Sequence, residues 1–423
     1  MTSTAADGPD VLQLFPTGTH RDTDGRLVVA GCRLDDVAQE YGTPTYVVAE
    51  DAMRAQARRF LDGLRTRRPG SDVAFASKAF PASAVYRLMA EEGLHVDVAG
   101  GGELLLALNG GVDPQRVIVH GNAKTDDEIR LALDAAVGLL VVDNLDEVER
   151  IEALASRRQP VLLRIQPGVD PGTHAAISTG QKGSKFGVPL EQVADVVKRI
   201  EASSAMELQG LHLHLGSQMM QLEPFPAAVE VIGSLGEFPV YDVGGGLAVR
   251  YTYAEHPPTV EQWLDSVTTA AESFLPAGAR LIIEPGRSMV AESVVTLYRV
   301  VVVKPGDPSY VAVDGGIADN FEASTYIGQE FEATLVARGG GDQRYDVVGR
   351  QCESGDRIAP DVALADPRRG DVLAVPVTGA YTHTLANNYN GALRAPVVFC
   401  KDGRIRLVVR RDTPADLLAR EVG

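Results

Sequence analysis

The chain has 423 residues, enough for two domains and a large core. Its 45% apolar and 23% charged content is that of an ordinary globular protein, and a formal net charge of −17 argues against nucleic acid or an anionic membrane as a partner. Cys32, Cys352 and Cys400 are far apart and odd in number, so no disulfide framework or metal site is expected from them, and a reducing, cytoplasmic setting fits. The opening MTSTAADGPD lacks the basic and apolar segments of a signal peptide. No apolar run reaches the roughly 18–20 residues needed to cross a bilayer.

In chain order, GRLVVAG and LDDVAQEYG stand in the first 45 residues. Eight apolar runs bounded by turn residues follow: DVAFASK (72–78), HVDVAG (95–100), VIVHGNAK (117–124), LLVVDN (139–144), VLLRIQP (161–167), GLHLHLGSQ (210–218), VYDVGGG (240–246) and LIIEPGR (281–287). The first five start at 72, 95, 117, 139 and 161, about 22 residues apart, which is room for a strand, a helix and a loop. Helical patterns lie between them. ASAVYRLMAEEG spans 82–93, and DDEIRLALDAAVG spans 126–138 with an acidic first turn that suits the helix dipole. Eight strands alternating with helices is the count of a closed parallel barrel, and runs apolar throughout suit strands covered on both faces. Beyond about residue 290 the segments VVTLYRVVVVK, SYVAVDGG, QEFEATLVARG, RYDVVGRQC, DVLAVPVTGAY, PVVFCKDG and RIRLVVRR are strand-like with no long helices between them. The expected architecture is α/β: a (β/α)8 TIM barrel over 46–290 and a β-sandwich-like antiparallel domain over 291–423 that takes in residues 1–45.

Barrel chemistry sits at the C-terminal ends of the strands. The runs end in Lys78, Asp97, Arg164, His214 with Ser217, Gly244-Gly245-Gly246, and Glu284-Pro-Gly286-Arg287. Each has a plainer reading: a solvated strand end for Lys78, a core histidine for His214, a tight turn for the glycines, a structural ion pair for Glu284 with Arg287. Asp97 and Arg164 read as scaffold charges. Chance alone rarely puts all of them on one face. A lysine for a Schiff base, backbone N–H groups for a phosphate, an imidazole to cover a flat ring and a carboxylate to face a pyridine nitrogen together point to pyridoxal 5′-phosphate (PLP).

The motifs ASK (76–78), STGQKGSKFG (178–187), HLHLGSQ (212–218), DVGGG (242–246), EPGRSMV (284–290), CESGD (352–356) and GAY…NNYN (379–390) resemble, in order, those of the fold type III PLP decarboxylases. The likeness is strongest to the diaminopimelate decarboxylases, with ornithine decarboxylase more distant. It implies a homodimer with active sites shared between the barrel of one chain and the sandwich of the other. It makes Lys78 the Schiff-base lysine and lays His214 on the PLP ring. It sets Glu284 at the ring nitrogen and makes Cys352 the proton donor after CO₂ loss. Ser217, Gly246, Arg287 and Tyr381 fall where phosphate or substrate ligands do, Gly244, Gly245 and Gly286 complete the phosphate loops, and Glu353 and Tyr326 lie at the substrate.

One departure stands out. DGGIADNFEASTYIG (314–328) matches a stretch whose arginine, in diaminopimelate decarboxylases, binds the substrate's distal carboxylate; here the position holds Glu322. Two like charges at about 4 Å repel by about 1 kcal/mol in water and several-fold more when partly buried. The expected activity is therefore amino-acid decarboxylation of a substrate whose far end differs from that of meso-diaminopimelate. In the competing reading, Glu322 faces solvent and Arg350 or Arg357 takes over. Diaminopimelate decarboxylation itself, a racemase on the same fold and a non-catalytic relative are the alternatives. The racemase gives no reason for CESGD, and a non-catalytic relative would be expected to have lost Lys78, Glu284 or Cys352.

Overall fold

The structure, a computed structural model, describes residues 11–170, 183–324 and 327–422. Eight strands form a closed parallel barrel: β1 (Asp72–Ala76), β2 (His95–Val98), β3 (Val117–Val119), β4 (Leu139–Val142), β5 (Gln159–Gln166), β6 (Met206–His212), β7 (Val240–Asp242) and β8 (Arg280–Ile283). The ring closes where Ile282 of β8 pairs with Asp72 of β1, and a short strand, Val188–Pro189, extends β5 outward. Apolar runs form these strands because both faces are covered. The lower interior is filled by Ala74, Ile118, Leu139, Val141, Leu162, Val240 and Ile282. Gly210 lets β6 lie against β7: a Cβ there would stand 1.7 Å from Val240 O.

The crossover helices start where the sequence offers caps. Thr125 and Glu128 form a reciprocal capping box for Asp126–Ala135, which buries Ile129, Ala132 and Leu133. Thr259 and Gln262 do the same for Val260–Phe274, which buries Trp263, Leu264 and Val267. No helix among the described residues is long and apolar enough to cross a membrane.

The chain divides into two compact units. The barrel unit holds Arg54–Val249 and Pro257–Met289, and the other holds the described residues up to Met53, Arg250–His256 and Val290 onward. The second unit is built on the long strand Val294–Lys304, which pairs antiparallel with Thr45–Ala49, Tyr310–Val313 and Val372–Val375. Thr45–Ala49 is wholly buried in this sheet, so the N-terminal contribution runs past residue 45. Residues 20–33 form a three-stranded sheet of their own rather than joining the large one, and Leu27, Val29 and Cys32 pack into the same core as Val47, Val295 and Val398. The large sheet is mostly antiparallel. Two pairs, Thr45–Ala49 with Val397–Lys401 and Tyr310–Val313 with Gln343–Val348, run parallel, because neither is joined by a hairpin that would force the other direction.

Candidate active site

Strand geometry puts residues two apart on the same face of a sheet. Stepping two residues on from the interior apolar layer gives one polar group after another. Ile118 leads to His120, Val141 to Asp143, Leu162 to Arg164, Val240 to Asp242 and Ile282 to Glu284. All five are buried, as are Asp97 on β2 and His212 at the end of β6. The barrel interior thus changes from hydrocarbon to a layer of titratable groups at the C-terminal ends of the strands.

Glu284 is at the centre of this layer. Its Oε1 lies 2.8 Å from Nε2 of His120, and its Oε2 is hydrogen-bonded to Nε2 of His212 at 3.2 Å. Burial would push the carboxyl up; the two imidazoles outweigh that and hold it well below the usual range, so Glu284 is an anion. Burial and the neighbouring Glu284 charge push Asp242 the other way, well up. Burial also raises Asp97, to about 7. Burial would strip the His120 proton, but Asp97, 3.6 Å away, and Glu284 outweigh it and hold that imidazole above its ordinary range. Burial lowers His212 to about 3, leaving a neutral ring. The atoms of His120, His212 and Glu284 converge within 4.8 Å, and the two neighbouring acids that raise His120 favour a proton there over a cation.

Lys78 follows β1 in a single turn, Ser77–Ala79, and is exposed. Its charge still bears on Asp97 and His214. Ser77 Oγ donates to Glu103 (3.2 Å), which also accepts the Ala99 N–H (2.7 Å), tying this turn to the loop after β2. His214 is half-buried, and burial lowers its imidazole well below the ordinary range. Its Nδ1 accepts the N–H of Gly245 at 3.2 Å. The Gly244 N–H goes to Asp242 Oδ1 at 2.9 Å. Two amides of the glycine run therefore hold the loop itself rather than facing a ligand. Glycine is required there for room: a Cβ on Gly245 would lie 2.1 Å from Glu284 O, and one on Gly246 2.8 Å from Gly216 O. Arg287 Nε donates to Ser217 Oγ at 3.2 Å, and Gly286 packs on Ala76, where a Cβ would meet the Ala76 Cβ at 3.0 Å. The Arg164 guanidinium lies over the Phe186 ring, 4.4 Å from its centroid. His120 and His212 went unselected in the sequence, although both stand in the quoted runs; the two-residue step beyond Ile118 and Gly210 is the signal that finds them.

In the β unit, Asp356 of CESGD accepts the N–H of Ile317 (2.8 Å) and of Gln351 (2.7 Å), joining that loop to the DGGIADN segment. Cys352 is exposed and donates its N–H to Asn390 Oδ1 at 2.9 Å. Glu353 is half-buried, as is Tyr381, whose backbone is left-handed at φ 58°. Glu322, in the turn Phe321–Ala323, is only 5% exposed, so it does not face solvent. Arg350 is exposed, and Arg357 is paired with Asp346 at 2.8 Å. Tyr326 and the first half of STGQKGSKFG, residues 178–182, lie outside the described residues.

These donors suit PLP: an exposed lysine amine, an anionic carboxylate at the barrel centre, a neutral imidazole beside it and a Ser–Arg pair next to a loop that only glycine fits. A family model described as pyridoxal-dependent decarboxylase, pyridoxal binding domain, matches residues 51–291. Diaminopimelate decarboxylase of Actinosynnema pretiosum subsp. auranticum is 44% identical, over 97% of this chain and 95% of its own length. The crystal structure of diaminopimelate decarboxylase from M. jannaschii with L-lysine is 29% identical, covers 96% of this chain and 98% of that one, and has a TM-score of 0.89. Lysine/ornithine decarboxylase of Vibrio vulnificus complexed with putrescine is 25% identical, covers 87% and 97% of the two chains, and has a TM-score of 0.75. A family model over more than half of the chain, and likeness running its length, lead to one conclusion: the protein belongs to the fold type III PLP-dependent decarboxylases, carboxy-lyases of amino acids, in the company of the diaminopimelate decarboxylases.

Proposed function

We propose that the chain decarboxylates an α-amino acid whose distal end is cationic or polar rather than a carboxylate. The observation that carries this reading is Glu322, buried in the turn that follows DGGIADN, where the resemblance calls for an arginine. An acid there repels a distal carboxylate and attracts an ammonium or guanidinium. Glu353, half-buried beside Cys352, adds a second acid of the same sign. The Vibrio vulnificus relative, named for lysine and ornithine and holding putrescine, is a precedent for a distal ammonium on this fold. Diaminopimelate decarboxylation stands as the second reading, on the names of the other relatives.

The roles are those the resemblance implies. Lys78 supplies the amine that would hold the cofactor. Glu284, anionic, would keep a proton on the ring nitrogen, and His214 would cover one ring face. Ser217, Arg287 and Gly246 would hold the phosphate, with Tyr381 at the phosphate or the substrate. Bound PLP supplies the electron sink that takes the pair from the breaking Cα–CO₂⁻ bond. Cys352 then delivers its thiol proton to Cα. We place Cys352, Glu353 and Glu322 of one copy at the Lys78 site of a second copy, as the resemblance implies.

Steady-state decarboxylation of diaminopimelate, lysine, ornithine and arginine, each in both hands, tests the substrate. The expected result is a kcat/KM at least about 10-fold higher for a substrate whose distal end is a cation without a carboxylate, moved toward diaminopimelate by Glu322→Arg. Fast turnover of diaminopimelate alone would sink the reading. Lys78→Ala is expected to lose both activity and the visible absorption of bound cofactor while keeping its fold. Mixing Lys78→Ala and Cys352→Ala subunits should restore activity that neither has alone; no restoration would refute the shared site.

A further inference from the structure

The carboxylate expected to serve the cofactor's ring nitrogen does not stand alone. His120 comes from the end of β3 and His212 from the end of β6, on different walls of the barrel from β8. One ring takes each oxygen of Glu284, at 2.8 and 3.2 Å. The two rings meet edge to face, with centroids 4.8 Å apart and planes at 66°. All three side chains are buried.

Their surroundings set the two rings in different states. His120 Nε2 lies between two acids, Glu284 and Asp97. Arg164 is the opposing cation in the layer, and Asp242 and Asp143 are the remaining acids around it. Among the described residues, the acidic contact of His212 is Glu284, and its other nitrogen, Nδ1, is buried with no hydrogen-bond partner. A neutral ring protonated at Nε2 leaves Nδ1 as a lone-pair acceptor, so no N–H is buried there without an acceptor.

The loop carrying His120 is held in place. Lys124 Nζ reaches back to Gly121 O and across to Val141 O, both at 2.7 Å, and to Glu147 at 2.6 Å. Gly121 turns at φ +126°, and a Cβ there would come within 3.2 Å of Lys124 Cγ. A buried lysine with three partners is an expensive fixture for a loop with nothing to hold.

We propose that His120 and His212 are positioning residues for Glu284: rings from two opposed barrel walls fix both oxygens of the carboxylate and keep it anionic and aimed where the ring nitrogen of the cofactor binds. His120 does this as a cation and His212 as a neutral donor. The proposal rests on the reading that Glu284 serves the ring nitrogen. The free rotation of a glutamate side chain is thereby removed before the cofactor arrives, and the proton on the ring nitrogen is set by the His120–Glu284 pair rather than by Glu284 alone.

The test uses the full-length protein with PLP. Wild type, Glu284→Gln, His120→Leu, His212→Leu and His212→Gln are compared for PLP dissociation constant, for position and pH dependence of the visible band, and for thermal unfolding. Losing the His120 ion pair or the His212 hydrogen bond to this carboxylate should weaken PLP binding about 10-fold or more in the two leucine variants and move the band. His212→Gln, which can still donate to Glu284, should recover most of that loss. If Glu284→Gln leaves band and affinity unchanged, the assignment of Glu284 to the ring nitrogen fails, and the positioning role with it. If Glu284→Gln moves them but both leucine variants behave as wild type, only the positioning role fails. Should the leucine variants not fold, imidazole NMR of the ¹⁵N-histidine-labelled holoenzyme decides the matter. A cationic His120 and a neutral, Nε2-protonated His212 near pH 7 support the proposal, and a His120 that titrates like free imidazole overturns it.

Discussion

Gly245 shows how much of this site depends on single atoms. The loop after β7 runs so close to the loop after β8 that a methyl group on Gly245 would lie 2.1 Å from Glu284 O. The Glu284 N–H donates to Gly244 O at 2.8 Å, so the loop cannot retreat without losing a bond. Gly245→Ala should therefore lower stability by about 1–3 kcal/mol and displace Glu284. Thermal unfolding and cofactor retained after dialysis measure it, and a variant equal to wild type in both would contradict the packing argument. Cysteine and glutamate positions in the β unit teach the converse lesson. Glu322 was visible in the sequence as a residue of the wrong sign, and only its burial shows that it does not face solvent.

At the scale of elements, the loop and helix from His120 to Ala135 join the site to the scaffold. Thr125 caps the helix through a reciprocal bond with Glu128, and Thr125→Ala should cost about 1 kcal/mol. Lys124→Ala leaves Glu147 buried without its cation and should cost about 3–5 kcal/mol. Denaturant unfolding separates the two, and equal costs would mean the buried pair is not what fixes this loop. The helix start was legible in the acidic run DDE, whereas its end was not. The pattern suggests residue 138, but the helix stops at Ala135 because Ala136 turns left-handed at φ 62°, a conformation alanine does not advertise. Gly138 then packs on Gln115, where a Cβ would lie 2.1 Å from the carbonyl oxygen. The strands show the same limit. Each quoted run reads on past the last paired residue, since apolar composition does not record where a ladder stops and the functional turn begins.

Over the whole molecule, pH acts through buried and half-buried histidines in both units. Burial lowers His95 and His383 to about 4 and His212 to about 3. A base whose folded value is depressed contributes its full stability above the unfolded value near 6.5 and loses it as pH falls toward the folded one. His383, which meets Tyr46 edge-on at 5.7 Å, offers a clean case away from the barrel. Relative to His383→Phe, the wild type should lose up to about 1.4 kcal/mol per pH unit between pH 6.5 and about 4. Chemical denaturation at pH 7 and pH 5 checks this, and a gap that does not change with pH would rule it out.

The alternation of strands and helices, the two-part architecture and the order of the motifs were all carried by local pattern, because apolar period, caps and turn residues act over a few positions. Lys78, His214 and Glu284 could be singled out because each ends a recognisable run. The convergence of His120, His212 and Glu284 could not. His212 and Glu284 are 72 residues apart in the chain, and their contact exists only because eight strands close in one register and bring every second residue of each strand to the same interior layer. That closure also shifts the charges, since it is burial among these particular neighbours that raises one histidine, lowers the other and lowers the glutamate between them.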